Sequence, residues 1–224
     1  MQTTLNPIFD IYHNVTKVIG IETNITKLKE FEQEILQKNE EILAQKDELQ
    51  TMNIQIQEQN EHIKASIRYA QTIQTAILPS KEKLNQLFDN FLIYKPKDVV
   101  SGDFYWLNHL TEKKEKGLTE KIFIAVVDCT GHGVPGAFMS LIANRILSEI
   151  VNEKLIHSPA LILEELNKSV RKTLDQDNSE NKDGMDLCLC RIEKDLDGKR
   201  TLTYSGAKRP IYYYNSVDKT FTVY

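Results

Sequence analysis

The sequence predicts an α+β chain in which one long N-terminal helix leads into a mixed domain of strands and helices. Three observations carry this. An apolar residue recurs at every seventh position across residues 28–78, and Pro79 then stops the helix. Beyond Pro79 the chain reads as strands, then two helices, then strands in series, the order expected of packed α+β layers.

Residues 1–27 hold two short β-like stretches, Ile8–Tyr12 and Lys17–Glu22, with Gly20 inside the second. They are too few to close a core alone. They read as the end of something larger.

In residues 28–78 the repeat is Leu28, Ile35, Ile42, Leu49, Ile56, Ile63, Ala70 and Ile77, with no Pro or Gly inside it. A sustained seven-residue period predicts a left-handed coiled coil. The second seam alternates apolar Phe31, Met52 and Ile73 with polar Lys38, Gln45, Gln59 and Ser66. Polar seam positions weaken a coiled coil while fixing its register, which suits a shaft able to shift or rotate. The alternatives are a solvated single helix and a merely weak dimer.

After Pro79, strands are predicted at Phe91–Tyr94, Val99–Leu107 and Ile122–Val127, with a charged turn region over Thr111–Glu120. Helices are predicted at Val134–Asn152 and Pro159–Leu174, and a polar loop at Asp177–Gly184. The last strands are Met185–Ile192, Arg200–Ser205, Ile211–Tyr214 and Thr220–Tyr224. Trp106 and Tyr105 are expected in the core.

The 224 residues carry 28 Lys+Arg against 32 Asp+Glu, a formal charge of −4. That balance gives no reason to expect nucleic acid as a partner. The longest uninterrupted apolar run, Ile122 to Val127, is too short for a bilayer, so no membrane segment is expected. No secretory signal opens the chain. Three cysteines, Cys129, Cys188 and Cys190, make no disulfide framework; a cytoplasmic location with buried, reduced thiols is expected.

Two segments carry chemistry. Ser101-Gly102-Asp103-Phe104-Tyr105-Trp106 is one. The other, Val127-Asp128-Cys129-Thr130-Gly131-His132-Gly133-Val134-Pro135-Gly136, delivers an aspartate from an apolar strand into a glycine turn that opens a helix. Carboxylate and carbonyl oxygens suit hard cations such as Mg²⁺ and Mn²⁺, and a helix start favours an anion such as phosphate. An aspartate at such a place is, by itself, more often a turn former.

Together these segments resemble the SpoIIE-type (RsbU-like) branch of the PPM metal-dependent serine/threonine phosphatases. The similarity begins at Ile67-Arg68-Tyr69-Ala70-Gln71 and Ala76-Ile77-Leu78-Pro79, and continues from Tyr94 to Trp106 and from Val127 to Ser140. It ends with Asp183-Gly184-Met185-Asp186 and Tyr204-Ser205-Gly206-Ala207. The resemblance implies a β-sandwich flanked by helices and two Mn²⁺ or Mg²⁺ ions sharing a water that attacks a phosphoserine or phosphothreonine in line. It implies that Asp103 ligates one ion, that Asp128 bridges both, and that the backbone carbonyl of Cys129 completes part of the shell. Gly102, Gly131 and Gly133 would shape the turns. His132 would either protonate the leaving oxygen or pin the loop. Asp183 and Asp186 are read as turn and packing residues, with contact to the metal region as the alternative; Lys208 and Arg209 are read as a solvated turn, with binding of phosphate or of the partner as the alternative.

The family's remaining acidic ligands lie further on, in a late Asp-Gly motif and a final aspartate. The chain stops before either, which predicts a phosphatase domain incomplete at its C-terminus. Val18 to Thr26 is similar to the end of a PAS sensor domain, with Asn24 where an Asp is usual. The predicted order is therefore a PAS-like remnant over 1–27, a signalling coiled coil over 28–78 and a phosphatase domain over 79–224. The expected partners are a second copy of the chain, in a parallel homodimer, and a phosphorylated STAS-type protein. The competing reading is a non-catalytic dimeric scaffold or pseudophosphatase. A histidine-rich metal hydrolase is disfavoured, because the five histidines are scattered.

Overall fold

The computed structural model describes residues 1–114 and 117–224. It divides into two compact units, residues 1–62 and 63–224.

The first unit opens with a hairpin of β1 (Gln2–Phe9) and β2 (Val15–Thr23), antiparallel from Gln2↔Thr23 to Phe9↔Val15. The first strand lies earlier in the chain than Ile8–Tyr12. The cause is Asp10, whose Oδ1 accepts bonds from the backbone N–H of Tyr12 (2.8 Å) and Asn14 (2.9 Å), closing a turn where the sequence suggested strand. Helix α1 (Thr26–Ile77) follows, with Asn24 Oδ1 accepting from Thr26 N at 3.0 Å.

The second unit contains the end of α1, which stops where Leu78 N bonds Thr75 O just before Pro79. A short helix α2 (Lys81–Leu87) comes next, capped by Ser80 Oγ accepting from Lys83 N at 3.2 Å. Phe91–Tyr94 forms no strand: it has no ladder partner, and Phe91 and Ile93 stand exposed.

Four strands then build an antiparallel sheet in the order β3-β4-β5-β6: β3 (Asp103–Lys114), β4 (Gly117–Cys129), β5 (Met185–Lys194) and β6 (Arg200–Ala207). The predicted turn region Thr111–Glu120 is instead mostly ladder, paired from Thr111↔Glu120 to Lys114↔Gly117. Residues 115 and 116 of that region lie outside the described residues. Charged side chains suggested a loop, but a hairpin arm tolerates them where they face solvent. Helices α3 (Gly133–Asn152) and α4 (Pro159–Thr173) connect β4 to β5, and the ribbon β7 (Tyr212–Asn215) with β8 (Thr220–Val223) follows β6.

Side chains alternate across the sheet. Phe104, Trp106, Phe123, Ala125, Val127, Leu187 and Leu189 face α3 and α4, forming the main core with Ala143, Leu147, Ile150 and Ile162. Phe123 and Leu189 are wholly buried, each stabilising the fold by about 1.5–3 kcal/mol. Tyr105 accompanies Leu107, Ile122 and Ile124 on the opposite face, where α2 supplies Leu84. Helix α3 is long and apolar enough by composition to cross a membrane, although polar residues interrupt its apolar runs; half of it is buried against its neighbours, as in a core helix.

Candidate active site

Antiparallel pairing places Asp103, the first residue of β3, directly opposite Asp128 near the end of β4. Both project from the face turned away from α3 and α4. Asp186 continues the row on β5, opposite Asp128. Three carboxylates thus cross three neighbouring strands at one level. Burial raises the Asp103 carboxyl above its ordinary range, and the hydrogen bond and charge of Asp128 push it the same way; Arg209 opposes them.

Two cations answer this row. Arg209 Nη2 pairs with Asp128 Oδ2, and Lys208 Nζ lies 3.4 Å from Asp186 Oδ1. The sequence favours a solvated turn over an anion-binding one for this pair; in the structure Arg209 meets a carboxylate 81 residues away, a contact that no local pattern signals. The turn holding them is closely built. Lys208 has a left-handed backbone, φ 55. Tyr204 Oη donates to Arg209 O at 2.6 Å. A Cβ on Gly206 would collide with the Tyr204 phenol and stand 2.5 Å from Arg209 O, a backbone atom, so a larger residue would force this turn to move.

The loop after Asp128 is as tightly constrained. Gly131 and Gly133 have φ 85 and 64, values that favour glycine. Gly102 acts by close approach: a Cβ there would lie 2.6 Å from Gly131 O and 3.0 Å from Cys129 O. Gly136, read from the sequence only as part of the helix start, is as crowded: a Cβ there would lie 2.5 Å from Gly131 O and 2.9 Å from Gly102 Cα. The Cys129 carbonyl therefore faces the strand carrying Asp103, while burial, then the charges of Asp128 and Asp103, push its thiol up to about 12. Thr130 Oγ1 donates to Asp183 Oδ1 at 2.8 Å, fastening the loop to residues 176–184. Asp183 is a loop fastener, while Asp186 belongs to the carboxylate row.

His132 caps α3 in an extended conformation, and its Nδ1 lies 2.8 Å from Asp98 Oδ2. Its side chain is 70% exposed and is not among those lining the cavity that holds Asp103 and Asp128. That position fits the loop-pinning reading of this histidine.

A further support was invisible in the repeat. Gln74, near the end of α1, is buried, and its Nε2 donates to Ser101 O (2.6 Å) and Ser140 Oγ (2.8 Å). Its Oε1 accepts from Ser101 N at 3.0 Å. Ser101 Oγ in turn accepts from Asp103 N at 3.0 Å.

Asp103, Asp128 and Arg209 line a cavity of about 750 Å³, walled by Tyr94, Tyr105 and Val126. Its size suits a small-molecule group. Among the described residues no cluster of three or more His, Cys, Asp and Glu encloses an ion position. The pair nonetheless fits a hard divalent cation by donor chemistry. Two carboxylates are held together, one resists ionising beside the other, and a guanidinium already compensates Asp128.

The family model described as Stage II sporulation protein E (SpoIIE) matches residues 119–223. Among solved structures, the SiaA-PP2C domain of Pseudomonas aeruginosa aligns with a TM-score of 0.53 at 34% identity, over 68% of this chain. The chain spans 56% of the length of that structure. No curated protein matches it.

Proposed function

We propose, from the premise that this chain carries a SpoIIE-type domain of the PPM phosphatase family, that the protein is a metal-dependent phosphoserine/phosphothreonine protein phosphatase of signal transduction. The observation that carries this reading is the in-register pairing of Asp103 with Asp128 in a cavity that also holds Arg209.

Asp103 and Asp128 would hold Mn²⁺ or Mg²⁺, with the Cys129 carbonyl as a further oxygen donor. Bound ions would supply a water of lowered pKa and neutralise phosphoryl charge. The chain's own residues do the remaining work. Ser101 and Gln74 fix the start of β3, so Asp103 presents its carboxylate at a set position. Asp183 and the glycine turn hold Asp128 and the Cys129 carbonyl against β3. Tyr94 and Tyr105 wall the cavity beside Asp103.

The substrate is taken to be a phosphorylated STAS-type protein by family resemblance, and the setting to be cytoplasmic from the cysteine usage. A homodimer through the α1 repeat belongs to the same reading. Leu28, Ile35, Ile42, Leu49, Ile56 and Ile63 are each more than half exposed in the single chain, and a coiled coil would cover that stripe.

The test is Mn²⁺-dependent hydrolysis of p-nitrophenyl phosphate by the chain and by Asp128→Asn. The expected result is metal-dependent turnover that drops at least about 100-fold in the variant. A folded, metal-replete protein silent on this ester and on phosphoproteins would replace the reading with the dimeric scaffold, which the presence of only two paired acids in the cavity also favours.

A further inference from the structure

We propose that Arg209 is the residue that grips the substrate's phosphoryl group, and that Asp128 is its alternative partner, from which a divalent cation displaces it. This rests on the phosphatase reading above.

The case begins with how the arginine is aimed. Left-handed Lys208, the Tyr204 phenol on Arg209 O, and the absent side chain of Gly206 fix the backbone around it. Pro210 restricts the chain immediately after. These constraints converge on a residue whose side chain stays half exposed in the cavity. A surface ion pair needs no such construction, since pairs of this exposure contribute little to stability.

The chemistry follows from what the guanidinium touches. Asp128 Oδ2 accepts from Arg209 Nη2, and that oxygen belongs to the carboxylate that would bind a divalent cation. Both partners demand the same lone pairs, so they compete. A released guanidinium stays within reach of the cavity, because Arg209 is one of the residues that line it. There its planar fork matches two oxygens of a phosphomonoester, a geometry that lysine's point charge lacks. Lys208 differs: its side chain is 83% exposed and its partner is Asp186, outside the set lining the cavity.

The experiment compares the wild-type chain with Arg209→Gln and Arg209→Lys. Mn²⁺ is titrated calorimetrically without substrate, and inorganic phosphate is then titrated into the Mn²⁺-loaded proteins. Arg209→Gln is expected to bind Mn²⁺ about two- to fivefold more tightly, the factor set by losing a half-exposed ion pair. It is expected to bind phosphate at least about tenfold more weakly. Arg209→Lys, which keeps the charge, is expected to retain wild-type Mn²⁺ affinity while losing phosphate affinity. Unchanged Mn²⁺ and phosphate affinities in Arg209→Gln would overturn the proposal. Mn²⁺ binding by none of the proteins would instead sink the metal-dependent reading on which it rests, and the proposal with it.

Discussion

Gln74 and Ser101 are joined by both ends of one amide: Gln74 Nε2 donates to Ser101 O at 2.6 Å while Gln74 Oε1 accepts from Ser101 N at 3.0 Å. A buried side chain on α1 thereby saturates the backbone two residues before Asp103. Replacing it with alanine leaves both Ser101 groups buried without partners. The expected loss is about 1–3 kcal/mol in urea unfolding, followed by the fluorescence of Trp106, the single tryptophan. Glutamate keeps the acceptor for Ser101 N but sets a second acceptor against Ser101 O, so Gln74→Glu should not recover the stability. Full stability in Gln74→Ala would show that the contact supports nothing.

Gly136→Ala should damage the Asp128 loop. The new methyl would stand 2.5 Å from Gly131 O and 2.9 Å from Gly102 Cα, all backbone, so the loop must move. Overpacking of this kind costs about 1–3 kcal/mol. Urea unfolding gives the cost, and Mn²⁺ titration should show weakened binding. Gly184→Ala is the control, because a Cβ there meets nothing within 4 Å.

The raised carboxyl of Asp103 gives a pH signature without added metal. Its folded-state pKa lies above the unfolded value, chiefly through burial. The associated stability is fully present below the ordinary aspartate pKa and is lost as pH rises through the raised one. Asp103→Asn removes that loss. The variant should melt above wild type at neutral pH, with the difference shrinking as the medium is acidified below the ordinary carboxylate range. A difference independent of pH would mean that Asp103 ionises freely.

Thiol labelling should be selective. Burial holds the Cys129 thiol up near 12, and hydrogen bonding with Cys188, then burial, raises Cys190. Cys188, half buried and lining the cavity, is lowered by its hydrogen bond with Cys190. Iodoacetamide at neutral pH should therefore modify Cys188 first in the native protein, read by peptide mass spectrometry. Equal labelling of all three would mean the sheet is open.

Much of the site was legible because its signals are local. An apolar strand ending in Asp128, with glycines at fixed offsets, carries its own geometry, and Asp103 sits in a comparable segment. What stayed hidden depends on distance or brevity. Arg209 acquires its meaning only from Asp128, far away in sequence. Gln74 looked like polar filler in a repeat, since period alone does not distinguish a solvated glutamine from a buried one. Helix α2 has seven residues, too few to display a helical period. Phe91–Tyr94 read as a strand because it is apolar, yet a strand also needs an edge to pair with. The arms around Thr111–Glu120 show the converse, charged residues carried by backbone pairing.

The carboxylate row also guards the assembly of the sheet that bears it. A slip of one residue between β3 and β4 turns every side chain on the slipped strand to the opposite face. Asp103 or Asp128 would then enter the layer occupied by Phe104, Phe123 and Leu147. An unpaired carboxylate in such surroundings costs roughly several kcal/mol. Misaligned ladders are thus rejected by the same oxygens that define the cavity, and the strands proofread their own pairing before any ligand arrives.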